Sequence, residues 1–160
     1  MAGQPGPAAQ SPALLARHLS LERRRGRPAL RLRHLGEAPD EALLLRFTPP
    51  ECEHWNFQLC NLWQENLDCY EERQGYVTKF SARREPDGSV VLVIAERDPG
   101  VGGNWLDSYG HVRGIMGLRL IRTTQPPPVT LQRVSLEKLA RAGLAGLAHE
   151  PVIESGEITA

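Results

Sequence analysis

The sequence predicts an all-β fold, a sandwich or jelly roll of about seven strands with short N- and C-terminal helices. Three observations carry this. Residues 54–63 alternate, with Trp55, Phe57, Leu59 and Trp63 on one face and His54, Asn56, Gln58 and Cys60 on the other, the period of a strand with one side in a core and one in water. Short runs rich in Leu, Val and Ile recur along the chain, each closed by Pro or Gly, as in sandwiches and barrels. Helical spacing is confined to the two ends.

In chain order, residues 1–12 are Pro, Gly, Ala and Gln with little to bury, which predicts a mobile tail. From Ser11-Pro12, the spacing Leu14, Leu15, His18, Leu19, Glu22 predicts a short amphipathic helix ended by Gly26 and Pro28. Strands are expected at 29–35, where Leu30 and Leu32 alternate with Arg31 and Arg33, and at 42–48, closed by Pro49-Pro50. Segments 76–83 and 89–96 flank Pro86-Asp87-Gly88, in which Pro presets φ and Gly accepts a positive φ, so they read as a hairpin. Residues 90–95 are apolar on both faces and are expected at the centre of a sheet. Residues 98–111 show no period, and a loop of that length is usually functional or disordered. Trp105 and Leu106 argue for order. Strands resume at 113–122 and 129–134. Ser135 can then cap a helix over 136–147, with Glu137 in the favourable first turn and Gly143 and Gly146 weakening it. The tail from Pro151 is expected to fray. The reading is therefore a basic arm with a helix at 1–27, a β-domain at 28–148 and a tail at 149–160.

The 160 residues suit one domain with one core. With 41% apolar and 24% charged residues the chain has the composition of a globular domain. No apolar run nears the ~20 residues of a membrane span, and no signal-peptide pattern opens the chain, so a cytoplasmic location without membrane association is expected. The 19 basic and 19 acidic residues cancel, yet residues 1–36 hold seven arginines against Glu22 alone, a net charge of +6. Such an arm either binds an external anion or folds against its own acidic body. Overall neutrality and the lack of Phe, Trp or Tyr before Phe47 argue against a nucleic-acid reader.

Cys52, Cys60 and Cys69 are odd in number and lack disulfide-framework spacing. On a strand, His54 and Cys60 would stand about 20 Å apart at ~3.3 Å per residue. That is too far for one zinc ion with ligands at ~2.0–2.3 Å, so no metal or other cofactor is expected.

Two places carry more chemistry than packing needs. The polar parity of the 54–60 strand offers His54, Asn56 and Gln58 as ligand-binding groups. In the 98–111 loop, Asp98, Asp107 and His111 are candidates for general acid–base chemistry, or carboxylates that hold turns by accepting backbone N–H bonds. Asn104 and Trp105 are candidate ligand contacts there, Asn104 also as an oxyanion donor. Trp55, Trp63 and Trp105 read as core residues or as an aromatic platform for a flat ligand. No Lys-Ser/Thr follows Gly100, Gly102 and Gly103, which excludes a Walker-type loop, and no nucleophile elbow is present.

Pro49-Pro50-x-Cys52-x-x-Trp55-Asn56-Phe57-Gln58-Leu59, then Trp63 with Leu67-Asp68, Pro86-Asp87-Gly88-Ser89, Asp98-Pro99-Gly100, Asn104-Trp105-Leu106-Asp107-x-x-Gly110-His111-x-x-Gly114 and Arg119 together resemble the family catalogued as domain of unknown function 1214. The resemblance covers roughly residues 37–134. It implies a β-rich domain that usually forms the C-terminal part of a longer chain, behind a companion numbered 1254, and it adds Arg119 to the candidate ligand contacts. Residues 1–27 resemble nothing in that family.

Two functions follow as expectations. The first is an accessory β-domain that binds a small molecule or a partner, such as a companion domain supplied in trans, through the 98–111 loop and the polar face of 54–60. The alternative is a hydrolase or lyase on a small organic substrate, using His111 with Asp107 or Asp98.

Overall fold

The computed structural model describes residues 19–24, 27–33, 39–67, 74–123, 125–147 and 153–154. It contains ten strands among these residues: β1 (Leu19–Arg24), β2 (Arg27–Arg33), β3 (Glu41–Phe47), β4 (His54–Cys60), β5 (Tyr76–Thr78), β6 (Val90–Ala95), β7 (Asn104–Asp107), β8 (Ile115–Ile121), β9 (Val129–Ser135) and β10 (Ile153–Glu154), with one helix, α1 (Leu136–Gly146). They form two five-stranded sheets. The first runs β1-β2-β8-β4-β5 and the second β10-β9-β3-β6-β7. Every pairing is antiparallel except β6 with β7.

Alternation decides what each strand buries. Trp55, Phe57 and Leu59 of β4 and Met116, Leu118 and Leu120 of β8 share one apolar core with Leu43 and Leu45 of β3 and Leu92 and Ile94 of β6. The core thus draws on one face of each sheet. The opposite parity of the second sheet, with Ala42, Leu44, Val93, Ala95 and Val134, meets Leu139 and Leu147 of the helical end in a second cluster. β6 is therefore covered on both sides and all six of its residues are buried, as its two-sided apolar run predicts. Among the described residues no such layer covers the far face of the first sheet, and β4 presents His54, Asn56 and Gln58 half-exposed there.

The C-terminal helix forms as its sequence predicts. Ser135 is extended and its side chain accepts a hydrogen bond from the Lys138 amide at 3.2 Å, satisfying one of the amides a helix start leaves open. Gly143, at φ 64° and ψ 176°, breaks the helical path before its last turn. Ser135→Ala is expected to cost about 0.5–2 kcal/mol, measurable as a lowered urea midpoint.

Several expectations are corrected. The N-terminal helix does not extend over residues 19–24, because that segment is β1, paired with β2 from Leu19↔Leu32 to Arg24↔Arg27. Its other part, 11–18, and the 1–12 tail lie outside the described residues. β4 ends at Cys60 rather than running to Trp63. Asn61 Oδ1 accepts from the amides of Trp63 and Glu65 at 2.9 and 3.0 Å, which folds the chain back and leaves Trp63 79% exposed. Cys60, expected on the polar face, is buried.

The turn at Pro86-Asp87-Gly88 is present but does not join paired strands. Gly88 takes φ 81°, and its N–H donates to the Glu85 carbonyl at 2.9 Å. Asp87 Oδ1 accepts from the Ser89 amide and hydroxyl at 2.9 and 2.6 Å, and these bonds hold the Asp87 carboxyl below its ordinary range. β5, however, stops after three residues in a turn where the Ser81 hydroxyl accepts from the Thr78 amide at 2.9 Å. It pairs with β4, while β6 pairs with β3 and β7 in the other sheet. The aperiodic 98–111 segment also contains a strand, β7, parallel to β6. At the C-terminus, Ile153–Glu154 pairs with β9, and the rest of the expected frayed tail lies outside the described residues.

Candidate functional site

The 98–111 segment faces two ways: its Trp105 side lies on the helix side of the second sheet, away from the polar face of β4, while the Asp107 amide donates to the Gln74 carbonyl at 2.9 Å, in the segment leading into β5. In β7 the alternation sends Leu106 into the core shared by the sheets and Trp105 toward the helix side, where, like Val101, Leu136 and Leu144, it packs against the second apolar cluster. The Trp105 indole N–H donates to the Ala95 carbonyl at 3.1 Å. Two packed sheets are about 10 Å apart, so the polar face of β4 is separated from Trp105 by both sheets and the core between them.

The remaining loop candidates are occupied with holding the backbone. Asn104 is 7% exposed, accepts from the Arg83 amide at 2.7 Å and donates to the carbonyls of Arg83 and Val91, each at 2.9 Å. Asp107 is buried and accepts from the Tyr109 amide at 2.7 Å. Asp98 accepts from the Gly100 amide at 2.9 Å. His111 is exposed, and its backbone N–H closes a turn onto the Ser108 carbonyl at 2.9 Å. The turn-holding use of these carboxylates is thus the one the structure shows. His111→Ala is expected to change stability by no more than the ~0.5 kcal/mol typical of surface changes, leaving the thermal midpoint nearly in place.

The polar face of β4 is built differently. Register sets Asn56 between Arg119 of β8 and Thr78 of β5, and Gln58 between Gly117 and Tyr76. Gly117 supplies no side chain, so the sheet surface drops beside Gln58. A cleft of about 280 Å³ opens along this face, lined by His54, Asn56, Gln58, Asn66, Tyr76 and Thr78 over Leu59 and Gly75. Its amides are tied together. Asn56 Nδ2 donates to Gln58 Oε1 at 3.2 Å, and Gln58 Nε2 donates to Asn66 Oδ1 at 3.0 Å and to Cys60 Sγ at 3.4 Å. At one end the His54 ring stacks on Phe80, with centroids 5.7 Å apart, and Phe80 is 84% exposed. The Lys79 ammonium is engaged by the carbonyls of Cys52 and Glu53 at 2.8 and 3.2 Å. Arg119 is exposed on the same sheet face without lining the cleft. Among the described residues, no cluster of three or more His, Cys, Asp or Glu side chains is placed to hold a metal.

No protein family and no curated protein matches the chain. Among solved structures it is similar to an uncharacterized protein from Burkholderia cenocepacia, with 37% identity and a TM-score of 0.65 over 71% of this chain and 31% of that one. It also matches a protein from Vibrio parahaemolyticus at 12% identity and a TM-score of 0.46, over 63% of this chain and 30% of that one. The chain thus spans less than a third of the length of either solved structure.

The sequence reading placed His54, Asn56 and Gln58 on this face, named Arg119 as a ligand contact through the resemblance alone, and missed Asn66, Tyr76 and Thr78. The parity of Tyr76 and Thr78 could have grouped them together, but nothing local names β4 as their partner. Asn66 arrives only because the Asn61 turn carries the chain back, with the Leu67 amide donating to the Leu59 carbonyl at 2.9 Å.

Proposed function

We propose that this is a binding domain built as a β-sandwich, and that its site is the cleft on the outer face of β4 and β5. One observation carries the reading: six polar side chains from three separate segments meet around a recess, three of them, Asn56, Gln58 and Asn66, linked by hydrogen bonds, while other polar groups, such as Asn104, serve the backbone. The 98–111 segment then acts as scaffold. The proposal keeps the resemblance to domain of unknown function 1214, and with it a companion domain in the same chain or in trans. The much greater length of the Burkholderia cenocepacia protein, of which this chain spans 31%, supports that arrangement. No helix among the described residues is long and apolar enough to cross a membrane.

The test is a two-dimensional amide spectrum of the labelled chain recorded with mixtures of small soluble metabolites. Movement of the Asn56, Gln58, Asn66 and Thr78 signals, retained in His111→Ala, is the expected result. Movement confined to residues 98–111, or no movement with any mixture, would overturn the assignment.

A further inference from the structure

The chemistry of the cleft wall narrows what fits it, an inference that rests on the binding reading above. Among the described residues, the lining contains amides, hydroxyls, one imidazole and an aromatic ring, with no carboxylate, ammonium or guanidinium. A dedicated anion site would be expected to aim a cation inward, yet Lys79 is turned onto two backbone carbonyls and Arg119 stands outside the lining. An apolar ligand would desolvate the Asn56 oxygen and the Asn66 amide nitrogen, which the hydrogen bonds among the amides do not use, and give them no partner in return. A peptide strand added at the edge would find only the three residues of β5, too short a ladder for strand addition to gain much.

We propose that the cleft takes a neutral polyhydroxylated ligand the size of a mono- or disaccharide. The amide chain is the recognition element. Gln58 sits in its middle, accepting from Asn56 and donating to Asn66 and Cys60, so its side chain is held in place before any ligand arrives. What remains for a ligand is Asn56 Oδ1, an acceptor, at one end and the Asn66 amide nitrogen, a donor, at the other. A hydroxyl both donates and accepts, so neighbouring sugar hydroxyls can meet the two ends together. Tyr76, 38% exposed, stands on the same wall. The volume of about 280 Å³ lies just under the ~300–1,000 Å³ of sites for drug-sized ligands, in keeping with one or two sugar rings. Holding the amides in advance reduces the ordering cost of binding.

The experiment titrates the labelled full chain with glucose, galactose, maltose and cellobiose, and separately with inorganic phosphate and with indole, following the side-chain amide signals of Asn56, Gln58 and Asn66. At least one sugar is expected to move all three in a saturable way. Asn56→Ala is expected to weaken that sugar by about tenfold with an unchanged thermal midpoint, the scale of a lost hydrogen bond to a bound ligand. Gln58→Ala, which removes the clamp, should weaken it as well. If phosphate or indole moves these signals and no sugar does, the ligand class is wrong while the site stands. If no probe moves them, both proposals fall. Sugar binding undiminished in Asn56→Ala and Gln58→Ala would also overturn the inference.

Discussion

Replacing Phe57 with Ala is expected to lower stability by about 3–5 kcal/mol. The residue is fully buried at the middle of β4, opposite Leu118 of β8 and Val77 of β5, in the cluster that both sheets share. Neighbouring Trp55 is already fixed in an edge-to-face pair with Phe47, centroids 5.2 Å apart, so little nearby can move in to refill the space. Against the ~5–15 kcal/mol total of a typical domain, the change takes a large share. The measurement is the urea midpoint, with Phe80→Ala as control. Phe80 is 84% exposed and its truncation should fall within about 0.5 kcal/mol of wild type. Equal midpoints for the two variants would refute the core assignment.

Asn104→Ala is expected to cost about 3 kcal/mol or more for a different reason. Its side chain is the sole link in a three-bond bracket that joins Arg83 N–H, Arg83 C=O and Val91 C=O. Alanine removes the bracket, leaving the buried Val91 carbonyl unsatisfied at about 1–3 kcal/mol and forfeiting two part-buried bonds to Arg83 at about 1 kcal/mol each. Asn104→Asp keeps the acceptor for the Arg83 amide but loses both donors and aims a carboxylate at two carbonyls, so it should not rescue the loss. Hydrogen exchange at the Arg83 amide gives a local check. Protection there that survives in Asn104→Ala would show that the bracket is not what holds the 83–91 connection to β7.

The contrast between these two residues shows what could be read from the chain beforehand. Phe57 belongs to a strand with one wet and one dry face, so parity alone marks it as core, and the two-sided apolar run of β6 is equally plain. Asn104 sits among glycines, where its residue type fits a ligand contact as well as a backbone bracket. Only the positions of Arg83 and Val91, set by tertiary folding, decide between them. Trp63 failed for a related reason: its parity matches Trp55, but the Asn61 side chain bends the backbone before that parity can count. The hairpin expected around Asp87 had sound turn chemistry, and its arms still went to different sheets, because partner choice depends on which apolar faces need covering. Half of the cleft was visible as the polar parity of β4. The other half comes from Asn66, Tyr76 and Thr78, whose approach is a product of topology.

The Asp107 amide, besides ending β7, donates to the Gln74 carbonyl at 2.9 Å, and that bond has a consequence for how copies of this chain behave at high concentration. β7 and β5 are the outermost strands on one margin of their respective sheets, and open margins are where β proteins polymerise side by side. Here one margin strand has four residues and the other three, and one amide of the longer strand is already taken by the segment leading into the shorter. A foreign strand arriving on this side would find few consecutive positions to zip onto, which protects the margin against fibril growth.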